Sequence, residues 1–235
     1  MLGRQSPNGR YHSITVRALI FDMDGTLVET ELANDQVWRR WADRHGLDLD
    51  RLLIAARGRR TIDTVREFCP CGVSPEEETA IIEREELEDM SSVCAVKGAV
   101  AFLNSIPIDR WAVVTSNTKH LAEIRLRSVG IAPPRVLISS QDVLRGKPDP
   151  EGYLKAAEAL GCEPQDVVIF EDSQAGVEAA KAARAHVVVI EPAPRLVEQY
   201  GGHQIADFLG LKTTLLQDGS IVLDIFREDG SSTRA

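Results

Sequence analysis

Cysteine is scarce in this sequence. The 235 residues hold four, Cys69, Cys71, Cys94 and Cys162, too few and too scattered for a disulfide framework. Cys69-Pro70-Cys71 invites a metal reading, but no second cysteine pair and no histidine cluster completes four ligands, so all four are read as ordinary reduced thiols. No apolar run approaches the roughly 18 residues that span a bilayer. Residues 1–17 are polar, lack the apolar middle of a signal peptide, and read as a floppy extension or short leader. A basic surplus is missing as well: 27 Lys and Arg stand against 36 Asp and Glu, a formal charge of −9. Such a chain is a poor candidate for binding nucleic acid or an anionic membrane. These absences point to a cytoplasmic protein with neither kind of partner. Apolar residues are plentiful at 43%, enough for one large domain or for a domain with a small insert.

The apolar residues fall into short runs: 16–21 (VRALIF), 111–115 (WAVVT), 136–138 (VLI), 167–170 (VVIF) and 186–190 (HVVVI). Runs apolar at almost every position suit parallel strands covered on both faces. Helical segments are read between them over 99–105, 119–129, 151–160 and 173–183. The alternation predicts an α/β fold with a doubly wound, Rossmann-like parallel sheet. Residues 31–95 break the pattern with helical segments alone. Leu32, Val37, Trp38 and Trp41 lie at helical spacing in 31–45; segments 49–57, 62–68 and 75–90 follow, the last opening at Ser74-Pro75-Glu76, a good helix start. The expected division is therefore an α/β core of residues 1–30 and 96–235 and an all-helical insert of residues 31–95. The acidic stretch 76–88 is read as a solvated helix face. Residues 212–226 surround Asp218-Gly219-Ser220 and predict a hairpin extending the sheet. Residues 227–235 are expected to fray.

Ligands of open α/β sheets bind beyond the carboxyl ends of the strands, so the residues that follow each run are informative. Asp22 follows the first, with Asp24 two residues on; Ser116-Asn117 follows the second; a loop after the third leads to Gly146-Lys147-Pro148; and Glu171-Asp172 follows the fourth. Four carboxylates brought together repel unless a cation intervenes. Mg²⁺ suits a site of a few carboxylates, waters and a substrate phosphate. Lys147 and the Ser116 hydroxyl supply a point charge and a donor for phosphoryl oxygens. An aspartate can attack phosphorus to give an aspartyl-phosphate, and a second one nearby can protonate the leaving oxygen and then activate water.

Asp22-Met23-Asp24-Gly25-Thr26-Leu27-Val28, Ser116, Lys147-Pro148 and Glu171-Asp172 resemble, in order, the four motifs of haloacid-dehalogenase-superfamily phosphatases. The helical insert resembles that family's type-1 cap. The resemblance implies that Asp22 is the nucleophile and a Mg²⁺ ligand, and that Asp24 is the acid/base and binds Mg²⁺ through its backbone carbonyl. Ser116, the Asn117 amide and Lys147 would hold the phosphoryl oxygens, and Glu171 and Asp172 would anchor the metal. Asp24 also argues against halide displacement, because a leaving alkoxide needs a proton and a halide does not.

Arg57-Gly58-Arg59-Arg60-Thr61-Ile62-Asp63 resembles the cap loop of glycerol-3-phosphate and 2-deoxyglucose-6-phosphate phosphatases. It implies a small phosphorylated sugar or polyol as substrate, and a monomer. Arg60 is the candidate to reach substrate oxygens, with Asn34 and Lys119 as further candidates at the crevice. Two other readings stand beside this one. A β-phosphoglucomutase would share the motifs but keeps a histidine twelve residues after the nucleophile, where this chain has Asn34. A sugar-phosphate sensor would bind without turnover and would not need Asp24. A P-loop kinase is disfavoured, since Gly146-Lys147-Pro148 lacks the upstream glycine and the following hydroxyl residue.

Overall fold

The computed structural model describes residues 9–88, 90–190 and 202–228. Strands β1 (Gly9–Val16), β2 (Ala18–Phe21) and β3 (Val28–Glu29) lead into helices α1 (Glu31–His45), α2 (Leu49–Ala56), α3 (Thr61–Phe68) and α4 (Pro75–Glu88). Then come β4 (Cys94–Ala95), α5 (Ala99–Asn104), β5 (Trp111–Val114), α6 (Lys119–Ser128), β6 (Val136–Ile138), α7 (Glu151–Ala159), β7 (Val167–Glu171), α8 (Gln174–Ala182) and β8 (His186–Ile190). Strands β9 (His203–Ile205), β10 (Leu211–Leu215) and β11 (Ile221–Glu228) complete the described chain. Among the described residues no helix is long and apolar enough to cross a membrane.

The expected parallel sheet is present with strand order β6-β5-β2-β7-β8-β9. Every residue of β2, β5 and β7 is buried, as strands apolar at every position require when helices cover both faces. One face carries Leu19, Phe21, Val113, Phe170 and Phe208; the other carries Ile20, Ala112, Ile169, Tyr153 and Val177. Helices α1 to α4 close a separate apolar cluster of Val37, Trp38, Trp41, Leu52, Val65 and Ile82. Local signals set their ends: Asp48 accepts the Arg51 amide before α2, and Ser74 accepts the Glu77 amide at the start of α4.

Several expectations change. The run 16–21 is broken at Arg17, and residues 9–16 form a strand paired along its whole length with β11, so this part of residues 1–17 is not a floppy extension. The 212–226 hairpin exists, but β10 and β11 join β1 in a separate antiparallel sheet and do not extend the central one. Arg227 and Glu228 belong to β11; residues 229–235 lie outside the described residues. Among the described residues between 31 and 95 there is one short strand, β4, which pairs with β3 where the chain leaves and re-enters the core. Two-residue strands carry no readable periodicity. The four cysteines are free thiols, none of them fully buried.

Candidate active site

Strand β2 carries Asp22 to the carboxyl edge of the sheet, where its amide donates to the Phe170 carbonyl at 3.0 Å. The chain then turns sharply, with the Met23 carbonyl accepting from the amides of Leu27 at 2.8 Å and Val28 at 3.0 Å. Gly25 makes this turn at φ +78°, in the left-handed region that favours glycine. A Cβ there would lie 2.1 Å from Oδ2 of Asp172, so the turn and the β7 end are fitted to each other.

Lys147 is the hub of the site. Its ammonium donates to Oδ1 of Asp22 and, at 2.5 Å, to Oε1 of Glu171. Glu171 Oε1 also accepts from the Tyr153 hydroxyl at 2.5 Å. Its Oε2 accepts from the Asp172 amide at 3.0 Å and from the Ser173 amide and hydroxyl at 3.1 and 3.0 Å. Both oxygens of Glu171 are thus committed, to Lys147 and to the start of α8. Asp22, Glu171 and Asp172 place ligand oxygens within 4.8 Å of one another, the one such group among the described residues.

The electrostatics show how crowded this corner is. Burial pushes Asp22 up to about 8; Lys147 pulls against it and the Glu171 carboxylate adds to it. Burial, with Asp22 and Glu171 beside it, also pushes Asp172 well above the carboxylate range. For Lys147 burial works toward neutrality, but the two carboxylates outweigh it and hold the ammonium above its ordinary range. Carboxyl groups crowded like this disfavour their charged forms, and a hard cation among their oxygens would relieve the crowding. The carboxylate oxygens of Asp22 and Asp172 fit Mg²⁺.

Asp24 is held apart from this cluster. Its Oδ1 accepts from Nη1 of Arg125 at 2.7 Å and its Oδ2 from Nδ2 of Asn117 at 2.5 Å. Arg125 is fully buried and also donates to Oδ1 of Asn34 at 2.7 Å. The Asn117 amide donates to Thr115 Oγ1, so in this arrangement the Asn117 side chain serves Asp24. No motif points to Arg125, yet the sequence carries a signal for it: it stands in the apolar stripe Leu121, Ala122, Leu126 of α6, where a charge needs a reason. No motif points to Glu86 either. It shares the inward face of α4 with Thr79 and Ile82, which corrects the reading of 76–88 as a merely solvated face. Burial lifts Glu86 to about 7 despite the pull of Arg125.

The loop 57–60 lies against the strand ends. Ser116 Oγ donates to the Gly58 carbonyl at 2.8 Å. Gly58, at φ +73°, approaches so closely that a Cβ would lie 2.1 Å from Ser173 Oγ. Arg60 is not free in the cleft: Nε and Nη2 donate to Asp63 at 2.6 and 3.0 Å, and Nη1 to the Val143 carbonyl at 3.2 Å. It ties α3 to the core. Lys119 is exposed and is not among the residues that line the cleft, whereas Asn34 lines it. The cleft itself, about 1650 Å³, lies between α1–α3 and the strand ends, and Asp22, Asp24, Ser116, Lys147 and Asp172 all face it.

Comparison with known proteins agrees with this architecture. Hexitol phosphatase A of Escherichia coli is 37% identical over 193 residues, 77% of this chain and 88% of that protein. Glycerol-1-phosphate phosphohydrolase 2 of Saccharomyces cerevisiae is 34% identical over 189 residues, 76% of each chain. A crystal structure of a hydrolase from Pseudomonas syringae superimposes with a TM-score of 0.73 at 20% identity, covering 81% of this chain and 93% of that one, which speaks for the fold. Residues 16–184, a span that includes every strand-end group described above, match the haloacid dehalogenase-like hydrolase family, and the chain belongs to it.

Proposed function

We propose that this protein is a Mg²⁺-dependent phosphatase that hydrolyses a small phosphorylated sugar or polyol through an aspartyl-phosphate on Asp22. The observation that carries the reading is the buried ammonium of Lys147 held on Asp22, with Asp172 in the same cluster and Asp24 two residues along the chain. That set supplies a nucleophile, a positive charge and an oxygen-ligand metal site at one point. The names of the hexitol and glycerol phosphate relatives support the substrate class.

In this mechanism an Asp22 carboxylate oxygen attacks phosphorus and the bond to the sugar or polyol oxygen breaks. Asp24 delivers a proton to that oxygen. It then takes a proton from the water that attacks the aspartyl-phosphate, and phosphate and free Asp22 result. Lys147 and Ser116 hold phosphoryl oxygens, and Arg125 and Asn117 aim the Asp24 carboxyl. Asp22, Asp172 and the Asp24 carbonyl would hold Mg²⁺, which supplies charge neutralisation for the phosphoryl group. Glu171, with both oxygens committed, acts by positioning Lys147. Residues 31–95 act as a cap that screens the reaction from water.

The reading is tested by phosphate release from sugar, polyol and nucleotide monophosphates, with and without Mg²⁺. Metal-dependent release concentrated on small sugar or polyol phosphates is expected. Interconversion of β-glucose 1-phosphate primed by a bisphosphate, without release, would replace it with the mutase; binding without turnover would replace it with the sensor.

Asp24→Asn is expected to lower turnover of an alkyl phosphate by about 10²–10⁴-fold. On p-nitrophenyl phosphate, whose leaving group needs no proton, the same variant should give a burst of one equivalent and then stall. Rapid-quench kinetics check this, and steady turnover without a burst would remove Asp24 as the base. Gly25→Ala adds roughly 1–2 kcal/mol of left-handed strain and drives a methyl group into Asp172. It is expected to weaken Mg²⁺ binding at least tenfold by calorimetric titration; unchanged affinity would mean that Asp172 is not a ligand.

A further inference from the structure

Each of the five arginines that line the cleft already faces a carboxylate within 3.0 Å, Arg60 on Asp63 and Arg145 on Asp149 among them. Lys147, which lines it too, is committed to Asp22 and Glu171. Among the described residues every cation that lines the cleft therefore already has a carboxylate partner. The cleft does offer an acceptor. Glu86 lines the cleft from α4 with only 5% of its surface exposed; its Oε2 is sealed from solvent and has no hydrogen-bond partner among the described residues. Its Oε1 stands 4.0 Å from Nη2 of Arg125, too far for a hydrogen bond. A buried carboxylate oxygen without a donor is costly, and a site that keeps one is poised for a ligand that brings the donor. Sugars and polyols bring hydroxyl groups. A leaving group with its own carboxylate brings repulsion and no donor.

We propose that Glu86 is a specificity-determining residue: its carboxylate accepts a hydrogen bond from a hydroxyl of the leaving group and turns away phosphate esters whose leaving group carries a carboxylate. This rests on the phosphatase reading above and adds to it which esters are accepted and which residue decides. Discrimination arises on both sides. The hydroxyl substrate satisfies a group that is otherwise orphaned, and the acidic analogue would leave two like charges facing each other in a poorly solvated wall.

The test uses the full chain with Mg²⁺ near pH 8.5, above the value of about 7 to which burial lifts Glu86, so that its carboxyl is ionised, and three probes: glycerol 1-phosphate, 3-phosphoglycerate and p-nitrophenyl phosphate. The wild-type protein is expected to prefer glycerol 1-phosphate to 3-phosphoglycerate by at least about 100-fold in kcat/KM. Glu86→Gln, which removes the charge and keeps the shape, should narrow that ratio at least tenfold, with a rise in absolute activity on 3-phosphoglycerate. Glu86→Ala should raise KM for glycerol 1-phosphate about tenfold or more with kcat less affected, while p-nitrophenyl phosphate stays within about twofold. A thermal melt of each variant shows that it is folded. Equal losses on all three probes would overturn the proposal, since Glu86 would then act only through Arg125 and Asp24. An unchanged ratio would overturn it as well. Hydrolysis of p-nitrophenyl phosphate by the wild-type protein, with none of any sugar or polyol phosphate, would instead sink the functional reading on which the proposal stands.

Discussion

Asp22→Asn is expected to cut turnover by at least about 10⁴-fold while leaving the protein folded and, without metal, more heat-stable than the wild type. The kinetic half follows from chemistry: an amide oxygen does not displace an alkoxide from phosphorus, and Glu171, the other carboxylate on Lys147, has both oxygens committed to hydrogen bonds. The stability half follows from the crowding of Asp22, Glu171 and Asp172. Asparagine is nearly isosteric and its carbonyl still accepts from Lys147, while one of three repelling carboxyls is gone. Mg²⁺ should stabilise this variant much less than the wild type. Steady-state phosphate release and thermal melts with and without Mg²⁺ measure both halves. Activity within tenfold of the wild type would remove Asp22 from the nucleophile's role.

Lys147→Met should have the largest effect on stability. Met keeps the length of the side chain, yet it leaves Asp22 and Glu171 buried without their shared cation, and Glu171 keeps Tyr153 and the start of α8 as donors. Removing one partner of a buried ion pair costs about 3–5 kcal/mol. Chemical denaturation of the metal-free variant near pH 8 is expected to read a loss of that size. The loss should shrink in acid, where the carboxyls take up protons, and turnover should be absent at every pH. A loss below about 1 kcal/mol would mean that the ammonium does not carry this cluster.

The same groups set the pH dependence of the wild-type protein. Burial places Asp22 at about 8 and Glu86 at about 7 in the folded state, against ordinary values of 3.8 and 4.5. Each therefore binds its proton more tightly folded than unfolded. The stability this contributes is complete below the unfolded values and is lost as pH rises through the folded ones. Melting temperature without metal is expected to fall between about pH 5 and pH 8, and Mg²⁺ to restore more of it at the upper end, because binding releases protons.

Much of this was legible in the sequence because it depends on neighbours along the chain. An apolar run that stops at an aspartate is a strand delivering a carboxylate to the sheet edge, and Asp22 after one run, with Ser116, Lys147 and Glu171-Asp172 following three others, points to a phosphoryl site before any fold is seen. The helices between residues 31 and 88 announce themselves by stripe and cap. Tertiary structure alone decided the pairings among residues far apart. Residues 9–16 carry no decisive pattern of their own and become a strand because β11 supplies the partner. Glu171 fits a metal ligand by its motif, yet Lys147, Tyr153 and Ser173 use both of its oxygens. Arg60 fits a substrate hand by its loop, yet Asp63 and Val143 occupy its guanidinium. Arg125 and Glu86 look like ordinary surface charges when counted and become interior groups when α6 and α4 meet over Asp24. Residue type and spacing determine which chemistry the chain can carry. Which oxygen or nitrogen remains free to perform it depends on hydrogen bonds between residues as far as 125 positions apart, and those exist only once the helices and the sheet have packed together.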